Sequence, residues 1–93
     1  LGLEESEVTT LEASVAPNPA SDVTMVNFFN PSAGLVQFEL YSLQGQLVQR
    51  QSEHFGNGAQ QVELDLQDVS QGFYLLRIRH QKGWGQTIKM VVK

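Results

Sequence analysis

Side chains able to carry reaction chemistry are sparse in this sequence. Only two histidines are present, His54 and His80, and both stand at the ends of strand-like runs beside turns. Nucleophilic catalysis needs a nucleophile, a base and an orienting group within hydrogen-bond reach, and no serine lies in a Gly-x-Ser-x-Gly elbow. We therefore expect both histidines to be exposed polar residues, expect no catalytic residue, and predict that the protein is not an enzyme.

Metal and cofactor sites have little more support in the sequence. The chain contains no cysteine, which excludes disulfides, thiolate chemistry and cysteine-ligated zinc. Asp65 and Asp68 do not follow a calcium-loop pattern, and no spacing of histidines and acids matches a metal site. The glycines at 56, 58, 83 and 85 are expected in hairpin turns, without the strand–loop–helix context of a phosphate site. We expect neither a metal nor a cofactor.

Short runs of alternating apolar and polar residues predict the elements that hold these side chains. In one such run, Thr24, Val26 and Phe28 share a face. Apolar spacing of three and four residues never persists long enough for a helix. About six strands are expected, or seven if residues 12–16 pair, so the prediction is an all-β, immunoglobulin-like antiparallel β-sandwich. Residues 1–14 are predicted to be a linker and cleavage region, and residues 15–93 the sandwich.

Two aromatic residues have positions that suggest a role. The stretch LDLQDVSQGFY places Gly72 in a corner and Tyr74 at the start of a strand. A tyrosine there can close the corner by bonding its hydroxyl to the backbone a few residues upstream. Trp84, at the tip of KGWG, either marks a binding spot or folds back over the end of the sandwich.

Charge is distributed unevenly along the 93 residues, whose net charge is −4. Residues 72–93 hold five of the six Lys and Arg residues and no acid. Either opposite charges pair across strands, or the last hairpin presents a positive face to a partner. The net charge argues against a nucleic-acid partner, and no apolar run is long enough to span a membrane. Because the first residue is Leu1 rather than Met, we expect a fragment or a processed product.

Four stretches resemble the C-terminal sorting domain of cargo proteins of the type IX (Por) secretion system. VAPNPASDVTMVNF resembles the opening of that family, ELYSLQGQLV its middle hairpin, VSQGFYLLRI a Gly-x-Tyr-x-x-Arg-Ile stretch, and TIKMVVK its terminal strand. Ser42 and Gln46 depart from the usual acid and basic residue of the hairpin, and Val69 and Ser70 from a Leu-Pro pair. The matching motif residues outside the terminal strand include Pro17, Asn18, Pro19, Gly45, Gly72, Tyr74 and Arg77.

The resemblance implies that the domain is a secretion signal with no catalytic activity of its own. Cargo of this family passes through the periplasm of a Gram-negative bacterium, and the type IX translocon and its shuttle proteins move it across the outer membrane. It then stays at the cell surface or is secreted. A sortase-like peptidase usually removes the domain and joins the cargo to anionic lipopolysaccharide. In this chain we expect the cut within residues 1–15, where an extended segment is accessible.

The terminal strand is the part that we expect the secretion machinery to read. A strand at a sheet edge offers unpaired N–H and C=O groups, so a receptor can add to it as a further strand. Alternation places Lys89 outward and Met90 inward, and a free carboxylate at the end of the chain would be a second contact point. The predicted translocon-recognition residues are Lys89, Met90, Val91, Val92 and Lys93.

Three alternatives remain open at the level of sequence. The same sandwich could be a carbohydrate- or protein-binding module retained at the cell surface, relying on exposed Trp84 and Tyr41. It could also keep the sorting fold as a docking piece of the surface attachment machinery. Finally, if residues 12–16 form an edge strand without a stable partner, two copies could exchange them and form a strand-swapped homodimer.

Overall fold

The computed structural model describes residues 11–93, and within that range the chain is all-β, with seven strands and no helix. No helix among these residues is therefore long and apolar enough to cross a membrane. The strands are β1 Ser14–Ala16, β2 Val23–Asn30, β3 Gly34–Ser42, β4 Leu47–Phe55, β5 Gly58–Asp65, β6 Gly72–His80 and β7 Gly85–Val92.

The strands form two antiparallel sheets, with the orders β1–β2–β5 and β4–β3–β6–β7. The chain changes sheet from β2 to β3, from β4 to β5 and from β5 to β6, whereas β3–β4 and β6–β7 are hairpins. These cross-connections confirm the predicted immunoglobulin-like sandwich. The prediction for Gly56 and Gly58 was wrong: Gly56 lies in a crossover between sheets and Gly58 begins β5, and neither lies in a hairpin turn, because β4 and β5 belong to different sheets.

The core lies between the sheets, where the alternation of each strand buries one face. Thr24, Val26 and Phe28 share one face of β2, as predicted, and all three are buried on the inner side of the sheet. The rings of Phe28 and Phe55 meet edge to face at 5.0 Å, and Phe38 joins them at 5.7 Å from Phe28. Full burial of a phenylalanine side chain contributes about 1.5–3 kcal/mol, so Phe28 and Phe38, which are buried, supply a substantial part of the stability, and half-buried Phe55 adds less.

The folded part includes residues that precede β1. Leu11 is fully buried, and its carbonyl accepts a hydrogen bond of 2.8 Å from the Phe29 amide. The amide of Gln86, on β7, makes two bonds to the backbone of Ala13, at 2.8 and 3.0 Å. The expected cleavage segment, residues 1–15, lies mainly outside the described residues.

β1 has a strand partner within its own chain. It pairs with β2 over three residues, in a register that sets Val15 opposite Val26. β1 is nevertheless an edge strand of its sheet, and the strand-swapped homodimer stays a prediction.

Candidate recognition site at the terminal strand

β7 is the outermost strand of the four-stranded sheet, beside β6. Met90 and Val92 are buried in the core, whereas Lys89 is exposed, Val91 is half-buried and Lys93, just beyond the strand, is exposed. The predicted alternation of the terminal strand is therefore confirmed. The side chains open to a partner in this stretch are Lys89, Lys93 and part of Val91.

The outer edge of β7 is not open, which corrects the expectation of unpaired edge groups. The Asn18 amide donates to the Lys89 carbonyl at 3.3 Å, and its oxygen accepts from the Val91 amide at 3.0 Å. Ala20 then donates to the Val91 carbonyl at 2.8 Å and accepts from the Lys93 amide at 2.7 Å. Residues 18–20 therefore occupy the edge that a partner strand would use.

An asparagine suits this position because its side chain carries one acceptor and one donor group, as a strand residue does. Pro17 and Pro19 flank it, and neither has a backbone N–H that would need its own partner. The Pro17 carbonyl accepts a bond of 2.8 Å from the Thr24 hydroxyl, which fixes the segment to β2. Sequence reasoning identified the Pro-Asn-Pro motif and the terminal strand separately, but gave no reason to place them in contact.

Gly72 and Tyr74 hold the other side of the same strand end. Gly72 is opposite Val92 and Tyr74 is opposite Met90 in the β6–β7 register. The Tyr74 hydroxyl donates to the Ser70 carbonyl at 2.5 Å, so the predicted tyrosine corner is confirmed. β7 is thus held between the corner on one side and residues 18–20 on the other.

The remaining motif residues do not join this site. Gly45 lies in the β3–β4 turn with φ of +90°, a left-handed conformation that favours glycine. Arg77 lies on the outer face of the four-stranded sheet, opposite Glu39 on β3 and Thr87 on β7. The motif residues therefore divide between the β7 edge, the hairpin turn and the outer face.

Glu39 is a polar residue whose role sequence reasoning missed. Its side chain is 2% exposed although it lies on the outer face of β3. Arg50 contacts one carboxylate oxygen at 3.2 Å, Arg79 lies 3.7 Å from the other, and the Tyr41 hydroxyl donates at 3.2 Å. The sequence carried no local signal for this burial, because it follows from the central position of β3, where both neighbouring strands supply an arginine that covers the acid.

The prediction for His80 was wrong, whereas His54 is exposed as predicted. His80 is 3% exposed because it continues the inward alternation of β6 after Ile78. The Lys82 amide donates to its Nδ1 at 3.0 Å, so Nε2 carries the proton and donates to the Ser32 carbonyl at 2.7 Å. His80 therefore links two turns inside the fold.

Trp84 folds back over the end of the sandwich, which is the second of the two positions that the sequence left open. Its ring packs edge to face against His80 at 4.7 Å and adds to the hydrophobic core. The residue is half-buried at the end of the sandwich. Among residues 11–93, no group of three or more His, Asp and Glu side chains is placed to hold a metal ion.

Comparison with known proteins adds one finding to this geometry. The family model described as "Secretion system C-terminal sorting domain" (Por_Secre_tail) matches residues 14–93. The match covers every strand of the sandwich, including the segment of residues 18–20 and β7 that it holds. A search of curated proteins gives no match.

Proposed function

We propose a function from one premise: the chain belongs to the secretion system C-terminal sorting domain family. Its members are sorting signals of type IX secretion, so the chain interacts with the type IX secretion machinery. Such a signal implies export to the cell surface or secretion. Beyond this, we infer which strand the machinery reads and how the cargo is processed after export.

The type IX translocon and its shuttle proteins of the outer membrane read the terminal strand, Lys89–Lys93. This proposal rests on how little of the chain covers the outer edge of β7. The Asn18 side-chain amide and the Ala20 backbone bond to this edge, and no full strand among residues 11–93 does. A receptor strand that displaces residues 18–20 gains the same four backbone groups of β7. Before the receptor binds, residues 18–20 cover the backbone groups at the edge of β7. This cover prevents other chains from pairing with the edge until the receptor strand displaces it.

The finer steps of export are part of the same proposal. The cargo passes through the periplasm, and a sortase-like peptidase then cuts ahead of the sandwich and joins the cargo to anionic lipopolysaccharide. Because Leu11 is buried and bonded to Phe29, a cut at Leu11 or beyond would require this residue to leave the core, so we place the cut ahead of Leu11. The domain itself acts by recognition and catalyses no reaction.

A proline scan of the β7 edge tests the reading of this strand. The Val91 amide faces the outer edge, so Val91→Pro removes an edge donor and no bond to β6. We expect export of a reporter fused ahead of the chain to fall about tenfold or more, the effect of roughly 1.4 kcal/mol on recognition. Thr87→Pro is the matched control, since it changes the same edge outside Lys89–Lys93. Thermal unfolding must show both variants folded, and unchanged export of Val91→Pro would contradict the proposal.

A further inference from the structure

The two outer faces of the sandwich carry opposite charge. The outer face of the four-stranded sheet, here called the basic face, holds four of the six Lys and Arg residues of the chain, and the only acid that its strands place there is the buried Glu39. The outer face of the β1–β2–β5 sheet holds Glu63 and Asp65 and no cation on its strands. The cations of the basic face are Arg50, Arg77, Arg79 and Lys89.

Glu39 organises the cations of the basic face. Its carboxylate contacts Arg50 and Arg79, whose side chains remain 53% and 46% exposed. Both guanidinium groups are therefore held against the sheet while part of each faces solvent. A pre-positioned arginine loses less conformational freedom on meeting a partner carboxylate than a mobile one does.

Exposed apolar side chains cluster at one end of the basic face. Phe73, at the start of β6, is 58% exposed, and Leu43, in the β3–β4 turn, is 56% exposed. Both line one groove, and Leu47 is opposite Tyr41 at the same end. Aromatic residues and arginines together are the composition that distinguishes protein–protein interfaces from the remaining surface.

The shape of the basic face favours a protein over a small molecule. Its two larger grooves, of about 410 and 710 Å³, are open along the sheet, and Arg77 lies between them as a wall of both. Small-molecule sites are concave and bury most of their ligand, whereas both grooves are partly open to solvent. Four strands of about eight residues form a sheet face of roughly 500 Å², which is the area that one partner contributes to a weak, transient interface.

We propose that the basic face is a docking surface for a protein partner whose contacting surface is acidic around an apolar centre. Phe73 and Leu43 contact the apolar centre, while Arg77 and Lys89 meet the acidic rim and accelerate encounter. This surface is formed by outward-facing side chains, whereas the outer edge of β7 offers backbone groups, so one sorting domain has two contact sites, with Lys89 belonging to both. The inference rests on the proposed function in one respect: the partner is met during export.

Site-specific photo-crosslinking during export tests this surface. The reporter fusion carries Phe73→p-benzoylphenylalanine, and the matched control carries Phe29→p-benzoylphenylalanine, because Phe29 is 50% exposed on the opposite face. We expect an adduct with a separate protein from position 73 and none from position 29. Arg77→Glu should lower the yield of that adduct about tenfold, whereas Glu63→Lys, a reversal on the opposite face, should leave it unchanged.

Each other outcome counts against the inference. Export without an adduct at position 73, equal adducts from both positions, or an adduct insensitive to Arg77→Glu overturns it. An adduct with a glycan, with a second copy of the chain or with residues 1–10 of the same chain also overturns it. Failure of the unsubstituted fusion to leave the cell contradicts the proposed function instead, so the two failures are distinguishable.

Discussion

At the scale of single residues, Asn18 has the most specific role in this domain. Its side-chain amide bonds to both Lys89 and Val91, 71 and 73 positions away. The sequence marks Asn18 only as part of a turn between prolines, because nothing local indicates which distant strand its amide meets. Tyr74 differs, since its partner Ser70 is four residues upstream and could be predicted from the corner pattern alone.

Removing the Asn18 amide should loosen the edge of β7. Because two solvent-exposed hydrogen bonds are lost, we expect Asn18→Ala to lower the free energy of unfolding by about 1 kcal/mol. The Val91 amide should exchange its hydrogen faster, which exchange measured by NMR would report. Asn27→Ala is the control, because the Asn27 side chain accepts a bond of 2.9 Å from the exposed Gln61 side chain, away from β7. Equal Val91 exchange in both variants would show that Asn18 does not hold the edge.

Glu39 and His80 show why burial was predictable for apolar residues and not for these two. Alternation assigns each side chain to a face of its strand, and both residues lie on the face that alternation predicts. What covers the face depends on neighbours distant in sequence: Arg50 and Arg79 cover Glu39, and Trp84 covers His80. The strands and the turns between them were local properties and could be predicted from the sequence, whereas the distinction between a hairpin and a crossover could not.

At the scale of elements, the β3–β4 and β6–β7 hairpins and the crossovers between sheets each position a different part of the two proposed contact sites. The β6–β7 hairpin places the terminal strand at the sheet edge, and the β3–β4 hairpin presents Leu43 beside Phe73. The β4–β5 crossover is held by Asn30, whose amide donates to the Gly56 carbonyl at 2.7 Å. A glycine-rich stretch looks alike in a hairpin and in a crossover, which is why the sequence did not separate them.

Glycine is required in the β3–β4 turn for its backbone conformation and not for space. Gly45 has φ of +90° and no neighbouring atom within 4 Å of an added Cβ. We expect Gly45→Ala to lower the free energy of unfolding by about 1 kcal/mol, because an L-residue is strained in that conformation. For a domain of this size the melting temperature should fall by roughly 4–8 °C. Gly56→Ala, with equal space and no positive φ, is the control and should be neutral or slightly stabilising. Equal destabilisation by both would contradict this account.

At the scale of the whole molecule, the sandwich brings the first and last family motifs together and separates charge between its faces. The family resemblance was visible in the sequence because its motifs occur in order. The contact between Pro17–Asn18–Pro19 and β7 was not visible, because it depends on β1 and β7 lying on the same side of the two sheets. The charge separation likewise appears once the strands are assigned to sheets.

The structure also decides which variants can test the secretion signal. Met90 and Val92 are 0% and 2% exposed, so deleting the last strand would remove core side chains as well as recognition groups. Loss of export by such a deletion would not separate recognition from unfolding. The intact domain in two cellular backgrounds avoids this difficulty.

The most direct measurement is export of a reporter fused ahead of the intact chain, in a bacterium with a working type IX translocon and in an isogenic strain lacking it. Our account predicts reporter at the cell surface or in the medium of the first strain only. In the second strain the reporter should remain inside the cell envelope. Equal release from both strains, or retention in both, would contradict the conclusion that this domain is a type IX sorting signal.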